Sequence, residues 1–263
     1  MIRRTSPWAW VWLLLGVIYF FVPLYATIQF SLQAKKGVLS LTAYQNVLSS
    51  PAFFSSFAFS FQTALITILV SALLIVPTSY WVNLKLPRLR PAIEFLTLLP
   101  IVVPAVVLVF ALIRTYNRTA LTDSRSGTYV LLIGAYVMLS FPYMYRAVDT
   151  GLRSINARTL TEAAQSLGAS WVTVLFRVIF PNVYISLLSG AFITFAIVMG
   201  EFTIASLLSQ PAFGPYMNQL SSSKVYEPSA LAIISFGLTW AAIGLLEVIG
   251  RRLPGRVQLV GGR

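Results

Sequence analysis

The sequence has no cysteine and no histidine. Without cysteine there is no disulfide framework, no thiolate metal site and no cysteine nucleophile. Without histidine the commonest general base and the commonest metal ligand are gone. Acids are scarce as well, seven Asp and Glu against nineteen Lys and Arg. No G-x-x-x-x-G-K-[ST] phosphate loop occurs, so the chain is not expected to hydrolyse ATP itself. Charged residues make up only 10% of the chain, whereas 57% are hydrophobic and the mean hydropathy is +0.80. An ordinary soluble domain does not have this composition. The net charge of +12 then points to membrane topology and anionic headgroups rather than to nucleic acid.

What the chain does have is long runs with little or no charge. Residues 8–28, 56–82, 92–113, 129–145, 183–208 and 229–249 read as six membrane spans, against the roughly 20 residues that cross the hydrocarbon. The first follows Arg3 and Arg4 and could be a signal peptide, but it is too long and lacks a small-x-small cleavage site. The third contains Pro100-Ile101-Val102-Val103-Pro104, whose two prolines should bend or loosen the helix. The fifth carries an acid, Glu201. Residues 146–182 form a long connection that is too polar to span.

Basic residues orient the array. With the N-terminus inside, Arg3, Arg4, Lys85, Arg88, Arg90, Arg146, Arg153, Arg158, Arg177, Arg251, Arg252, Arg256 and Arg263 face the cytoplasm. Lys35, Lys36, Arg114, Arg118, Arg125 and Lys224 face outward. Thirteen against six favours both termini inside by the positive-inside rule. The 146–182 connection is then cytoplasmic.

Within that connection Leu160, Ala163, Ala164 and Leu167 fall at i, i+3, i+4 and i+7, one face of a helix. Gly168 can end it in the left-handed conformation. Ser170 can cap a second helix bearing Trp171, Val174, Leu175 and Val178 at the same spacing. Two amphipathic helices hinged at a glycine form a knob suited to docking on another protein. The plainer reading is a capped surface hairpin, because Thr159 and Glu162 fit the S/T-x-x-E capping box.

Glu162-Ala163-Ala164, three residues, Gly168, nine residues and Val178-Ile179-Phe180-Pro181 resemble the EAA motif of ABC importer permeases that work with a solute-binding protein. Val178 and Phe180 depart conservatively from the usual isoleucine and leucine. Phe30-Ser31-Leu32, the stretch Leu41 to Leu48, and Leu98 to Pro104 extend the resemblance over nearly the whole chain, closest to the spermidine/putrescine-type branch. Ala105 stands where polyamine permeases of that branch often carry an acid.

The resemblance implies an all-α membrane protein, a single permease domain over residues 1–263 with the type I ABC importer permease fold. It implies a multi-pass protein of the bacterial inner membrane that moves a small solute, with a polyamine as the first expectation. Phosphonate, thiamine, iron or another ion are the alternatives. Glu162, Ala163, Ala164, Leu167 and Gly168 would couple to the ATP-binding subunit, and Glu201, Pro100 and Pro104 are candidate pathway residues. Implied partners are a second permease, diverged or identical, two ATP-binding subunits that hold ATP and magnesium, an external binding protein and lipid. This chain would hold no cofactor or metal and bind no nucleic acid.

Other function classes fit less well. A secondary transporter would more often show several intramembrane charges or an inverted repeat. A membrane enzyme would need paired carboxylates, a Ser/His pair or a metal cluster, which Glu201 cannot supply. For Glu201 itself, a role in attracting a cation stands beside a structural one, bonding to backbone or hydroxyl groups of a neighbouring span.

The orientation is directly testable because the chain has no cysteine of its own. Ser222→Cys should react with an impermeant maleimide in intact cells, and Ser166→Cys only after the membrane is opened. The reverse labelling pattern would invert the topology.

Overall fold

Prolines and glycines decide where this chain breaks, and between the breaks it is helical. The computed structural model describes residues 7–35 and 38–252. In chain order the helices are α1 (Pro7–Ser31), α2 (Thr42–Leu48), α3 (Pro51–Leu84), α4 (Arg90–Val102), α5 (Ala105–Thr115), α6 (Ala120–Asp123), α7 (Arg125–Ser154), α8 (Ala157–Ser166), α9 (Trp171–Thr173), α10 (Phe180–Gly200), α11 (Thr203–Leu207), α12 (Phe213–Ser223) and α13 (Glu227–Arg252). A 3-10 turn, Pro87–Leu89, leads into α4, and a π-helical turn, Val174–Ile179, joins α9 to α10. Among the described residues β pairing is confined to one bridge, Lys35 with Val38. Arg3, Arg4, Lys36, Arg256 and Arg263, counted above for topology, lie outside the described residues.

Trp8–Ser31, Pro51–Leu84, Arg125–Ser154 and Trp171–Gly200 are each long and apolar enough to cross a membrane. The third expected span is broken: α4 and α5 meet at a bend of 97°. Val103 is extended there, with φ −83° and ψ 118°, because the residue before a proline is pushed out of the helical region. The fifth expected span breaks too, since α10 stops at Gly200, Glu201 is extended and α11 restarts at Thr203. In place of the sixth stands α13. Within the expected 146–182 connection α7 runs on to Ser154, and helix resumes at Trp171 after α8.

Among the described residues packing separates two compact units, residues 7–54 with 216–241 and residues 55–215 with 242–252. In the first, Tyr44 donates to Ser31 Oγ at 2.7 Å, the Ser31 proton being given to the Ile28 carbonyl. Asn46 Nδ2 donates to Glu227 Oε1 at 3.0 Å, and the Phe30 and Tyr226 rings lie 5.1 Å apart. Along its length α1 exposes Trp8, Trp10, Trp12, Tyr19, Phe20, Phe21 and Tyr25, as lipid-facing residues do.

The second unit has two apolar clusters. Around Leu132, Ala135, Tyr136, Phe195 and Val198 gather Val109 of α5 and Ile204 and Ala205 of α11. The other cluster, around Met144, Val148 and Leu152 of α7, takes in Ile75, Val76 and Tyr80 of α3, Ala157 of α8, and Val174, Ile179 and Val183. Buried Ser60, Thr63, Thr67 and Ser71 run down α3. Small hydroxyl side chains let helices approach closely in an apolar medium and bond across the contact. Ser71 and Ser140 Oγ are 2.6 Å apart, and Ser60 Oγ accepts from the Phe213 amide at 2.8 Å.

Glycines set the closest approach of α7 to α10. A Cβ on Gly151 would lie 2.6 Å from Ser186 Oγ and 2.7 Å from Val183 Cγ1, whereas one on Gly134 would meet nothing within 4 Å. Gly151→Leu should therefore lower the stability of the detergent-solubilised protein, by about 1–3 kcal/mol for overpacking. Gly134→Ala should be at least as stable as the parent, because alanine is the better helix former. Thermal unfolding of both variants checks the contrast.

Candidate coupling hairpin and the helix breaks

The stretch from Ile155 to Ile179 folds as the expected hairpin. Asn156 turns the chain with φ 50° and ψ 54°, and α8 begins at Ala157. It ends at Gly168, whose φ is +82°. The Ala169 amide bonds to the Ala164 carbonyl at 3.0 Å and the Gly168 amide to that of Gln165 at 2.9 Å, the paired bonds of a Schellman stop. No atom lies within 4 Å of where a Gly168 side chain would begin. Backbone conformation alone therefore asks for glycine here. Ser170 Oγ then accepts from the Thr173 amide at 3.3 Å and caps the second arm.

The apolar face read for α8 is divided between the bundle and the outside. Ala157 and Thr161 are buried, with Leu160 and Ala164 packed beside them. Ala163 points out, and Leu167 is 90% exposed. Thr161 takes the inner place because its hydroxyl is satisfied: it donates to the Ala157 carbonyl at 2.7 Å and lies 3.0 Å from Tyr80 Oη. A threonine reads as polar in sequence, and hydrophobic spacing alone passed over it. The capping box does not form either. With α8 starting at Ala157, Thr159 is inside the helix and Glu162 pairs on the surface with Arg158 Nε at 2.9 Å. Glu162, Ala163, Ser166 and Leu167 are thus presented together on the outer side of the hairpin, and Ala164 is turned inward.

The second arm is continuous with α10 rather than a separate helix. Pro181 has no amide to give to the turn before it, and the wider π-helical turn of Val174–Ile179 directly precedes it. Asn182 Nδ2 takes the Val178 carbonyl at 2.7 Å.

Close to the hairpin, α4 and α7 are tied by charge. Asp149, its side chain 7% exposed, accepts from Arg90 at 3.1 Å, Arg153 at 2.6 Å and Asn83 Nδ2 at 2.9 Å. Glu94 holds the same two arginines, at 2.6 Å and 3.4 Å. Glu201 is not the one acid within the expected spans, since Glu94 lies in the third and Glu247 in the sixth. Spacing could have found the group, because Arg90 with Glu94 and Asp149 with Arg153 are both i,i+4 pairs. A cavity of about 440 Å³ adjoins it, lined by Thr97, Tyr145, Arg146 and Thr150 among others.

Glu201 sits at the α10–α11 break with its carboxylate fully engaged. Oε1 accepts from the Ile204 amide at 2.8 Å, and Oε2 from the Ala205 amide at 3.2 Å and from Tyr136 Oη at 3.0 Å. Gly214 braces the break, for a Cβ there would lie only 2.4 Å from the Glu201 carbonyl oxygen. Pro104 opens α5, and Pro100 is buried in the last turn of α4. The structure brings the two breaks together through α5 and α11, which share the first cluster. It leaves them apart from the hairpin, which belongs to the second. Among the described residues no group of three or more acids could hold a metal ion.

Residues 75–253, including both breaks and the whole hairpin, match the family model of the binding-protein-dependent transport system inner membrane component. The chain belongs to that family. Among relatives of this transport component is the molybdate/tungstate transport system permease protein of Pyrococcus furiosus, 28% identical over 63% of this chain and 64% of its own length. The putrescine transport system permease protein of Escherichia coli is 25% identical over 96% of this chain and 92% of the relative. A bacterial ABC transporter involved in import of the acidic polysaccharide alginate shares the fold, with a TM-score of 0.70 at 15% identity. The superposition covers 94% of this chain and 96% of that one. The chain is thus a multi-pass membrane protein of a binding-protein-dependent transport family.

The Glu201 geometry predicts a structural phenotype. Glutamine keeps one acceptor oxygen where the carboxylate serves three donors. Glu201→Gln should lower thermal stability by about 0.5–2 kcal/mol, the usual worth of a helix cap, with uptake falling only in step with folded protein. Uptake abolished at unchanged stability would instead give Glu201 a direct part in the pathway.

Proposed function

We propose that this chain is the membrane-spanning permease subunit of an ATP-driven importer for a small charged solute delivered by an external binding protein. The observation that carries the reading is the outer side of the hairpin. Glu162, Ala163 and Leu167 stand exposed on a helix whose other side is locked into the bundle, with Gly168 fixing the turn. An apolar side chain left 90% exposed at the tip of a rigid knob is suited to the cleft of an ATP-binding subunit. Ala163 keeps the approach close.

In this reading six spans, the third and fifth broken, place both termini and the hairpin in the cytoplasm of a bacterial cell. A second permease, identical or diverged, completes the pathway, and two ATP-binding subunits hold ATP and magnesium. Their closure moves the hairpins, and the permeases rock between inward- and outward-open forms. Hydrolysis belongs to the partner, consistent with the absence of a phosphate loop in this chain.

For the cargo, a polyamine is the first reading, supported by the putrescine permease relative that aligns over 96% of the chain. An inorganic oxyanion is the second, and one observation favours it. The carboxylates of Glu94, Asp149 and Glu201 are all engaged by protein donors, which leaves none of them free to draw in a polycation. Uptake of labelled putrescine and of labelled molybdate by proteoliposomes holding the whole complex separates the two.

Gly168→Val tests the docking role. Forcing a β-branched residue into the left-handed region costs on the order of 1–2 kcal/mol, and the escape from it would turn the hairpin tip. Solute-stimulated ATPase activity of the reconstituted complex should fall sharply while membrane insertion is unchanged. Full stimulation in the valine variant would remove the hairpin from the coupling path.

A further inference from the structure

We propose that the last turns of α3, Ser79 to Leu84, together with Lys85 just beyond them, form a junction through which movement of the hairpin reaches α4 and its bent pair. This rests on the docking role proposed for the hairpin and adds the residues that carry the motion onward. The hairpin is joined covalently to α7 and α10 alone. Its link to α3, some eighty residues earlier in the chain, is made entirely by side chains.

Each side chain of this short stretch meets a different element. The Thr161 proton goes to the Ala157 carbonyl, so Tyr80 is the donor in the 3.0 Å bond to Thr161. That contact, buried on both sides, holds the first arm. Trp81 stacks on Trp171 of the second arm, with ring centroids 5.8 Å apart and planes 20° from parallel. Tyr80 meets the same indole edge-on at 6.3 Å, and Lys85 Nζ lies 5.0 Å from its centroid. Asn83 turns the other way and donates to Asp149 at 2.9 Å, and Asp149 binds Arg90 at the start of α4.

The two arms of the hairpin, separated by the Gly168 turn, are therefore clasped to one helix end. That helix end is linked through Asn83 and Asp149 to the helix that leads into the 97° bend. Tyr80, Trp81, Asn83 and Lys85 are positioning residues that act through what they hold. Stacked indoles with a cation over one face resist both sliding and separation, more so when partly desolvated. A clasp of this kind transmits a push as well as a pull.

The test uses the complete importer in proteoliposomes and reads three quantities: solute-stimulated ATPase activity, solute uptake, and recovery of the ATP-binding subunit with this chain on purification. Trp171→Leu and Trp81→Leu should each keep subunit recovery and ATPase activity near the parent level while lowering uptake per ATP hydrolysed by fivefold or more. Trp171→Phe should restore part of that ratio. Asn83→Leu, which touches neither arm of the hairpin, should give the same split. A fall of uptake and ATPase activity in the same proportion would overturn the junction and make these contacts purely structural, as would an unchanged ratio in all three variants. Full ATPase stimulation with normal subunit recovery in the Gly168→Val complex would overturn the docking role instead, whatever the ratios in these variants, so the two failures can be told apart.

Discussion

A carboxylate taken out of water is tolerated only where its lone pairs are filled and its charge is answered. Asp149 meets that condition with two arginines and an amide drawn from three separate helices. Much else at this end of the bundle follows from satisfying it. The start of α4 must lie where Arg90 can reach, the end of α3 must present Asn83, and α7 must stay helical past its apolar stretch to place Arg153 one turn on. Removing both arginines would leave the buried charge uncompensated, commonly a matter of about 3–5 kcal/mol. The remainder of the second cluster packs around this fixed point, and the hairpin is docked on that packing.

The other end of the second unit solves a different problem with the same means. A helix that breaks within an apolar bundle exposes amides and carbonyls that lipid cannot satisfy. At the break after α10 the two oxygens of the Glu201 carboxylate accept from the Ile204 and Ala205 amides, and the Tyr136 hydroxyl donates to that carboxylate and holds it in place. At the break after α4, Pro104 has no amide to strand. One break is thus satisfied by added acceptors and the other by a removed donor. Both lead into short helices, α5 and α11, that cover one another.

Much of this was legible in the sequence. Charge-poor apolar runs locate the long helices, the Pro100–Pro104 pair marks a real break, and Gly168 and Ser170 mark the turn and cap of the hairpin. Their signals are local, being fixed by backbone chemistry at one or two positions. The burial of Thr161 was not legible, because it depends on that side chain finding Tyr80 some eighty residues away. The break at Glu201 was hidden for a related reason. An acid beside a glycine looks like a charge in a span until the free amides of the following helix are seen to need it. The Arg90–Glu94 and Asp149–Arg153 pairs were visible as spacings, but nothing local says that they share one site.

The π-helical turn of Val174–Ile179 gives the fixed interval between Gly168 and Pro181 a mechanical meaning. A π turn stores one residue more than the helix around it, so it works as a phase adjuster in an otherwise regular screw. An α-helix advances about 100° per residue. Were that surplus residue drawn out, everything before it would rotate by roughly that angle relative to α10. Trp171 would swing off the face of Trp81, and the outer side of α8 would be re-aimed with it. The motif's spacing is in this sense a clocking setting, which orients the knob about the axis of the fifth span, as its glycine sets the angle of the turn.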